Sequence, residues 1–596
     1  MLERSRLAAN ALECLHNEDY DRPFNTQSLN HETMIFMGGR TTETLNGPWN
    51  FTTDILDTGL RQRWYALKPG PRSEPWDYDP FEGERIPVPS CWNLENKRWY
   101  FFEGSGWYTR FVDIAEIAAD ERLFLRVGAA SYDCKVFVNN TFVGNHYGAS
   151  TPFFAELTGH LHAGRNWISL CVNASRTLDR VPMRNTDWFN YGGVHRDVEL
   201  IRTPRTLIRD LFVRLAEGRT DAVAVTVTVD GDADTAIIGI PEAGIEVAVA
   251  LEGGRGTTTV DWMPELWSPD SPRLYDVVAE CGGDRVSDRV GFRSFRREGT
   301  NILLNGEPVF LRGISVHEDD VETGRCASEA DIRRRFRHAK ELNANFLRLA
   351  HYPHHEQAAR IADEEGLLLW EEIPVYWAID FENPETFRDA SNQLRELILR
   401  DRNRASVVFW GVGNENADTD ARLKFMGDLV SICREMDPTR LVSAACLVNH
   451  ATCRIEDRLA GHLDAIGINE YYGWYEERFE DLEDIGRNSE PDRPVIITET
   501  GADALSGPDG PREGLFSEAY QREVYEKQLA ILSGLDWIKG MSPWILYDFR
   551  TERRCNIYQR GFNRKGLIAE DKETRKPAFA VLRDFYARWA SGTERP

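Results

Sequence analysis

Long apolar runs are missing from this 596-residue chain. No segment approaches the roughly 20 consecutive apolar residues that span a bilayer, so no membrane partner is expected. Paired cysteines are missing too. The ten cysteines are scattered without a CxxC spacing, which argues against a zinc ribbon and a dense disulfide framework. Several stand inside strand-like runs, such as Cys134 in YDCKVFV and Cys171 in WISLCVN, where free buried thiols and a reducing cytoplasm are the expectation. Positive charge is in short supply: 71 Lys and Arg against 96 Asp and Glu give a net charge of −25. Nucleic-acid binding depends on neutralising phosphates with cations, and this balance opposes it. The opening MLERSRLAANALECLHNEDYDRP has charges but no apolar core segment, so a cleaved secretion signal is not expected. No period of 20 to 50 residues repeats, which removes solenoids and propellers.

Aromatic and apolar residues are plentiful, with 42% hydrophobic content and 17 Trp, enough for several globular cores. From about 35 to 205 short alternating runs (LNGPWNF, RLFLRVGAA, NWISLCVNAS) are separated by turn signals, the pattern of an antiparallel sandwich. A second β-rich stretch, AVAVTVTVD through RLYDVVAEC, lacks a long amphipathic helix and reads as an immunoglobulin-like module, with DGDADTAIIGIPEAG expected to be irregular loops. After VGFRSFRREGTNILLNG the texture changes to strand-like and helical runs in alternation, which implies a parallel sheet. About 295 such residues suit one (β/α)8 TIM barrel. The expected domains are therefore 1–205, 206–294 and 295–596.

Two segments of the last region carry chemistry. VVFWGVGNEN, residues 407 to 416, and PVIITETGAD, residues 494 to 503, are β-rich apolar runs reaching Glu415 and Glu499. At roughly 30 residues per β/α unit, their separation of 84 positions spans about three units, the interval between strands four and seven. Carboxyls delivered by strand ends to the mouth of one barrel are what retaining glycoside hydrolysis needs: one protonates the leaving oxygen, the other attacks the anomeric carbon. Two loop carboxylates on the surface are the bland alternative.

The order of sandwich, immunoglobulin-like module and barrel, with LNGPWNF, IPVPSCWN, FFEGSGWYTR, DWFNYGGVHRDVEL, LNGEPVFLRGISVHED, FLRLAHYPHH, WGVGNEN, ITETGAD and SPWILYDF in that order, resembles glycoside hydrolase family 2. The resemblance covers almost the whole chain from about residue 38. It implies that Glu415 is the general acid/base and Glu499 the nucleophile. Asn414 would contact the hydroxyl beside the anomeric carbon, and His317, Arg348 and His351 would contact substrate or nucleophile. It implies no metal and no cofactor, a carbohydrate or glycoside substrate, and a homo-oligomer by default. A metal site from His351, His354 and His355 competes weakly, since nothing puts the three on one face.

Within the family the sequence leans toward β-D-glucuronides. INEYYGWY resembles the segment that gives such enzymes two site tyrosines, here Tyr471 and Tyr475. FNRKG resembles their Asn-x-Lys motif as Asn563 and Lys565, and Asp187 matches the sandwich residue that reaches their site. An ammonium and an amide near C6 would bind a uronate carboxylate by charge-assisted hydrogen bonds. One departure stands out: the arginine expected four residues before Asn563 is Gln559, and Arg560 follows it. Arg560 is the candidate guanidinium, unless Arg560, Arg564 and Lys565 form a solvated basic loop. Trp544, at the end of the last strand, suits a platform beneath the sugar ring; Trp370, Trp377, Trp410 and Trp474 read as unassigned or core aromatics. The alternatives are a β-galactosidase, a β-galacturonidase or a furanoside-cleaving enzyme of the same family, and, from another class, a non-catalytic carbohydrate-binding protein.

Overall fold

A computed structural model describes residues 24–67 and 79–591; Cys14 and the charged opening segment lie outside them. Two compact units are present. The first holds a six-stranded sheet and a four-stranded sheet, all antiparallel. In the larger sheet, Ser105–Ile114 pairs along its whole length with Gly164–Asn173. Alternating residues of these strands, Tyr108, Val112, Ile168 and Leu170, enter one core with Trp49, Phe51 and Trp92. Non-consecutive neighbours in both sheets give the jelly-roll-like connectivity expected of the N-terminal sandwich. The chain leaves this unit at Arg176 and returns at Tyr191; residues 176–190 belong to the second unit, although the sequence kept them in the first domain.

The second unit begins with the immunoglobulin-like sandwich, a three-stranded and a four-stranded sheet. Loops expected in DGDADTAIIGIPEAG give way there to a strand, Thr235–Ile240, between Ile245–Ala250 and Tyr275–Cys281. Ala236, Ile238 and Ile240 are buried while the residues between them are more exposed; this alternation outweighs the Gly and Asp around it.

The barrel follows. Its parallel strands are β1 (Leu311–Val316), β2 (Phe346–Leu349), β3 (Leu368–Glu372), β4 (Val407–Asn414), β5 (Leu441–Cys446), β6 (Ile466–Asn469), β7 (Val495–Glu499) and β8 (Ile538–Met541), closed by β8 pairing with β1. Helices α1 (Glu329–Glu341), α2 (Glu356–Glu365), α3 (Pro384–Asp401), α4 (Asp420–Met436), α5 (Asp481–Ser489), α6 (Glu518–Leu532) and α7 (Pro577–Ala590) cover it, and a 3-10 helix, Arg458–His462, stands after β5. Local sequence fixes the ends of these elements. Ser328 and Asp331 form a capping box at α1, contributing about 1 kcal/mol. Gly366 ends α2 at φ +72°, where a Cβ would meet the Pro269 carbonyl at 2.2 Å. Every residue of β3, β4 and β7 is buried, and each fully buried Leu, Ile or Phe contributes about 1.5–3 kcal/mol. At one end of the barrel Phe295 and Ile302 join Leu311, Phe346, Leu368, Phe409 and Ile496 in a single apolar cluster. The carboxyl ends of the strands are left to polar side chains.

Candidate active site

Arg348, on β2, organises the floor. It is fully buried, and its guanidinium donates from Nη1 to Glu499 Oε1 at 2.9 Å, from Nη2 to Asn414 Oδ1 at 2.8 Å, and from Nε to Glu372 Oε2 at 3.0 Å. Such charge-assisted bonds in a dry site hold their partners in one geometry. Glu372, at the end of β3, also bonds His351 Nδ1 at 2.7 Å. Burial works against its charge, but Arg348 and His351 hold its carboxyl down at about 2. His351 Nε2 in turn lies 3.6 Å from Glu499 Oε1. Tyr471 donates to the other oxygen, Oε2, at 2.6 Å. Glu499 is therefore gripped on both oxygens, which fixes its orientation.

Glu415 is held differently. It follows β4 with φ +52°, a left-handed conformation that costs a non-glycine residue about 1 kcal/mol or more. Its own N–H is bonded to the Ala445 carbonyl at 3.0 Å. Asn469 Nδ2 donates to Oε1 at 2.8 Å and the Trp377 indole to Oε2 at 2.6 Å. Burial and the nearby Glu499 carboxylate push the Glu415 carboxyl up from the usual range, and the two donors oppose that only in part. One strand-end carboxylate salt-bridged to arginine and one carboxyl pushed up by burial are groups that can serve as a nucleophile and an acid.

Asn414 Nδ2 and His317 Nε2 are among the buried polar atoms at the strand ends that lack a hydrogen-bond partner among the described residues. Burying a donor unpaired costs about 1–3 kcal/mol, which a hydroxylated ligand would recover. His317 shares its other nitrogen with the Tyr352 hydroxyl at 3.0 Å, and burial, with the charges of His351 and its neighbours, pulls its pKa far down, so it is neutral. Around it the rings of Trp544, Trp188 and Phe549 close an aromatic wall, with Trp544 stacked on His351 at 4.9 Å. The three histidines weighed as a metal site diverge: His351 faces Glu372, His354 Nε2 faces the Ala350 carbonyl, and His355 caps α2.

A second polar cluster collects most of the remaining candidates. Lys565 is buried, donating to Asp503 Oδ2 at 2.9 Å and to the Tyr475 hydroxyl at 3.1 Å. Its Nζ lies 5.6, 5.3 and 5.0 Å from the rings of Tyr471, Trp474 and Tyr475. Asp187 accepts from Asn563 Nδ2 at 3.1 Å, from Thr551 at 3.0 Å and from Arg554 Nη2 at 2.7 Å. Arg554 Nη1 closes the circuit on the Tyr475 hydroxyl at 3.2 Å. The loop carrying Asp187 is pinned to α3, where Val181 N–H meets Asp389 at 2.9 Å and Gln393 meets the Val181 carbonyl at 3.0 Å.

Arg560 is not brought to this cluster. Its backbone has φ +51°, and its exposed guanidinium pairs with Asp509 at 3.0 Å. Gln559 instead reaches Asp503 at 3.3 Å, and the guanidinium beside Asp187 belongs to Arg554. Nor are all four unassigned tryptophans core residues: Trp370 and Trp410 are fully buried, whereas Trp377 binds Glu415 and Trp474 faces Lys565. Sequence reasoning missed Glu372, Asn469, Asp503 and Arg554. Glu372 had a signal, a third glutamate closing a buried β-rich run; Arg554, on a loop after β8, had none.

Residues 295–590 match the family model described as "Glycosyl hydrolases family 2, TIM barrel domain", residues 42–204 the one described as "Glycosyl hydrolases family 2, sugar binding domain", and residues 208–293 "Glycosyl hydrolases family 2". The chain is 28% identical over 604 residues to a β-glucuronidase of Paenibacillus borealis, covering 93% of this chain and 97% of that one. It is 27% identical over 618 residues to the human β-glucuronidase, covering 93% and 92%. Among solved structures, the Ruminococcus gnavus β-glucuronidase superposes with a TM-score of 0.82 at 26% identity, over 94% of this chain and 100% of that one. A β-galacturonidase from Eisenbergiella tayi gives 0.79 at 26% identity, over 93% and 98%.

Proposed function

The chain belongs to glycoside hydrolase family 2, and from that premise we propose that it is a retaining exo-β-glycosidase that hydrolyses β-D-glucuronides. Glu499 attacks the anomeric carbon while Glu415 gives its proton to the departing glycosidic oxygen, forming a covalent glycosyl-enzyme. Glu415 then takes a proton from water, whose oxygen attacks the same carbon and releases Glu499. Asn414 donates its spare N–H to the neighbouring hydroxyl, a contact that strengthens as positive charge develops on the ring. Trp544 lies beneath the sugar, and His317, neutral and with one free nitrogen, reads a hydroxyl.

The observation that carries the uronate reading is Lys565, a buried ammonium beside the two site tyrosines. An anionic sugar approaching a protein of net charge −25 needs such a local cation. Asp503 and Asp187 pair with Lys565 and Arg554 and hold both cations in place to meet the carboxylate by charge-assisted hydrogen bonds. The β-galacturonidase reading draws support from the Eisenbergiella tayi neighbour, and Gln559, standing four residues before Asn563 where the glucuronidase pattern has arginine, is a departure from the first reading. Both sugars carry the C6 carboxylate and differ at C4.

The deciding experiment is a panel of aryl β-glycosides, comprising glucuronide, galacturonide, galactopyranoside, galactofuranoside, glucoside and mannoside, ranked by kcat/KM. The expected order puts glucuronide first. A neutral sugar at the head of the ranking refutes the uronate reading. A homo-oligomer in a reducing cytoplasm completes the proposal, and sedimentation tests the assembly.

A further inference from the structure

Arg553 and Arg554 are consecutive, and their side chains turn to different groups. Arg554 turns to Asp187 and the sugar cluster. Arg553 turns to the acid/base. Its Cζ lies 4.6 Å from the centroid of the Trp377 ring, the same ring whose Nε1 binds Glu415 Oε2 at 2.6 Å. The arginine is tethered through Nη1 to Asn185 Oδ1 at 2.7 Å, on the loop that also carries Asp187.

The platform under Arg553 is rigid. Trp377 has φ +55°; its N–H bonds the Asn414 carbonyl at 2.9 Å, its carbonyl accepts from Asn416 Nδ2 at 2.7 Å, and its ring stacks on Tyr376 at 4.4 Å. The departing group takes its proton from Glu415, so it must lie against the groups that border that carboxyl. Trp377 and Asn469 are both partly exposed there, and of the two only Trp377 offers an apolar face. Arg553 is exposed, and among the described residues its side chain has no carboxylate partner, only the Asn185 amide. In a molecule of net charge −25, a fixed and uncompensated cation beside the acid/base is a selective feature.

We infer that Trp377 and Arg553 form the leaving-group subsite, and that it selects glycosides whose aglycone carries a carboxylate or sulfate. This rests on the assignment of Glu415 as acid/base. The anion pairs with the edge of the guanidinium while the indole holds that edge in place, a role for which arginine's planar fork is suited and lysine's point charge less so.

The test uses pairs of aryl glycosides of the best-turned-over sugar, matched in leaving-group pKa, one member neutral and the other bearing a carboxylate. Wild-type enzyme should favour the charged member by about fivefold, the scale of a single exposed ion pair. Arg553→Gln should abolish that preference while leaving kcat/KM on the neutral member within about twofold, Arg553→Lys should restore part of it, and salt should erode it. The free anionic aglycone should also inhibit wild type more strongly than Arg553→Gln. Equal losses on both members, or no preference in wild type, would overturn the subsite. Failure of the acid/base assignment reads out separately: Glu415→Ala would then lose activity equally on good and poor leaving groups, whatever Arg553 does.

Discussion

Replacing Lys565 with alanine separates recognition of the sugar from integrity of the fold, if the right companion variant is made. The ammonium and Asp503 form a pair whose side chains are 1% and 0% exposed. Removing one partner of a buried pair costs about 3–5 kcal/mol, because the survivor stays buried and charged. Asp503 has other donors, the Arg564 N–H at 2.7 Å and Gln559 at 3.3 Å, so Asp503→Asn combined with Lys565→Ala removes the orphaned charge and should recover most of the stability. Recognition should not recover. A charge-assisted bond to the uronate contributes about 1.5–3 kcal/mol, which is a loss of about 10- to 150-fold in kcat/KM, and it should appear on glucuronide in both the single and the double variant. A neutral galactoside or glucoside should lose far less. The assay is kcat/KM on the two substrate classes alongside thermal unfolding midpoints for each variant. Equal losses on charged and neutral sugars, or full rescue of glucuronide activity by Asp503→Asn, would refute the reasoning.

Glu499→Ala should abolish turnover, and azide should restore a slow reaction giving the inverted glycosyl azide; an active variant without azide would remove Glu499 from the nucleophile role. Glu415→Ala should lose about 10²- to 10⁴-fold on poor leaving groups and much less on activated aryl glycosides, measured as two kcat/KM series. Since Glu415 must be protonated to act, and burial and Glu499 raise its pKa, activity should persist above the ordinary glutamate range and fall as pH rises through the raised value. Trp377→Phe removes a bond that favours the charged form and should move that alkaline limb to higher pH; an unmoved or lowered limb would contradict the assignment. Glu372→Gln should lower stability by about 3–5 kcal/mol and cut kcat more than it alters KM, by loosening Arg348 and His351. Because its carboxyl is held at about 2, Glu372's contribution is present above the unfolded value near 4.5 and lost as pH falls toward 2, so wild type and variant should converge in unfolding midpoint at the acid end.

Legibility in the sequence tracked how local each signal was. Glu415 and Glu499 could be found because a buried strand writes its own pattern and the residue at its end inherits a position. The same logic stopped short at LLLWEE, where two glutamates end one run. Alternation sends Glu372 to Arg348 and His351 and leaves Glu371 on the other side near Arg400, and only the strand's register distinguishes them. Burial and the Asp401 carboxylate push Glu371 far up, so neighbours in sequence are shifted in opposite directions. Arg554 was beyond reach for another reason: its partner Asp187 is 367 positions away on an irregular loop, and no periodicity links loops. Arg560 was misjudged by proximity to Asn563, whereas its left-handed backbone turns it outward to Asp509. The strand Thr235–Ile240 was hidden because turn-forming residues crowd a run that is only six residues long.

The loop 176–190 makes the N-terminal half less interchangeable than its sandwich architecture implies. Cutting the gene at residue 205 and grafting the remainder onto another sandwich would yield a chain with both catalytic glutamates and Lys565, yet without Asp187, Asn185 or Trp188. Arg554 would lose its carboxylate and Arg553 its tether. Such a hybrid should fold its barrel and still hydrolyse an activated substrate, but with weaker discrimination, because Arg553 and Arg554 lose the partners that hold them. In a lineage that shuffles domains, the fifteen residues 176–190 would have to travel with the barrel they pack against rather than with the sandwich that precedes them.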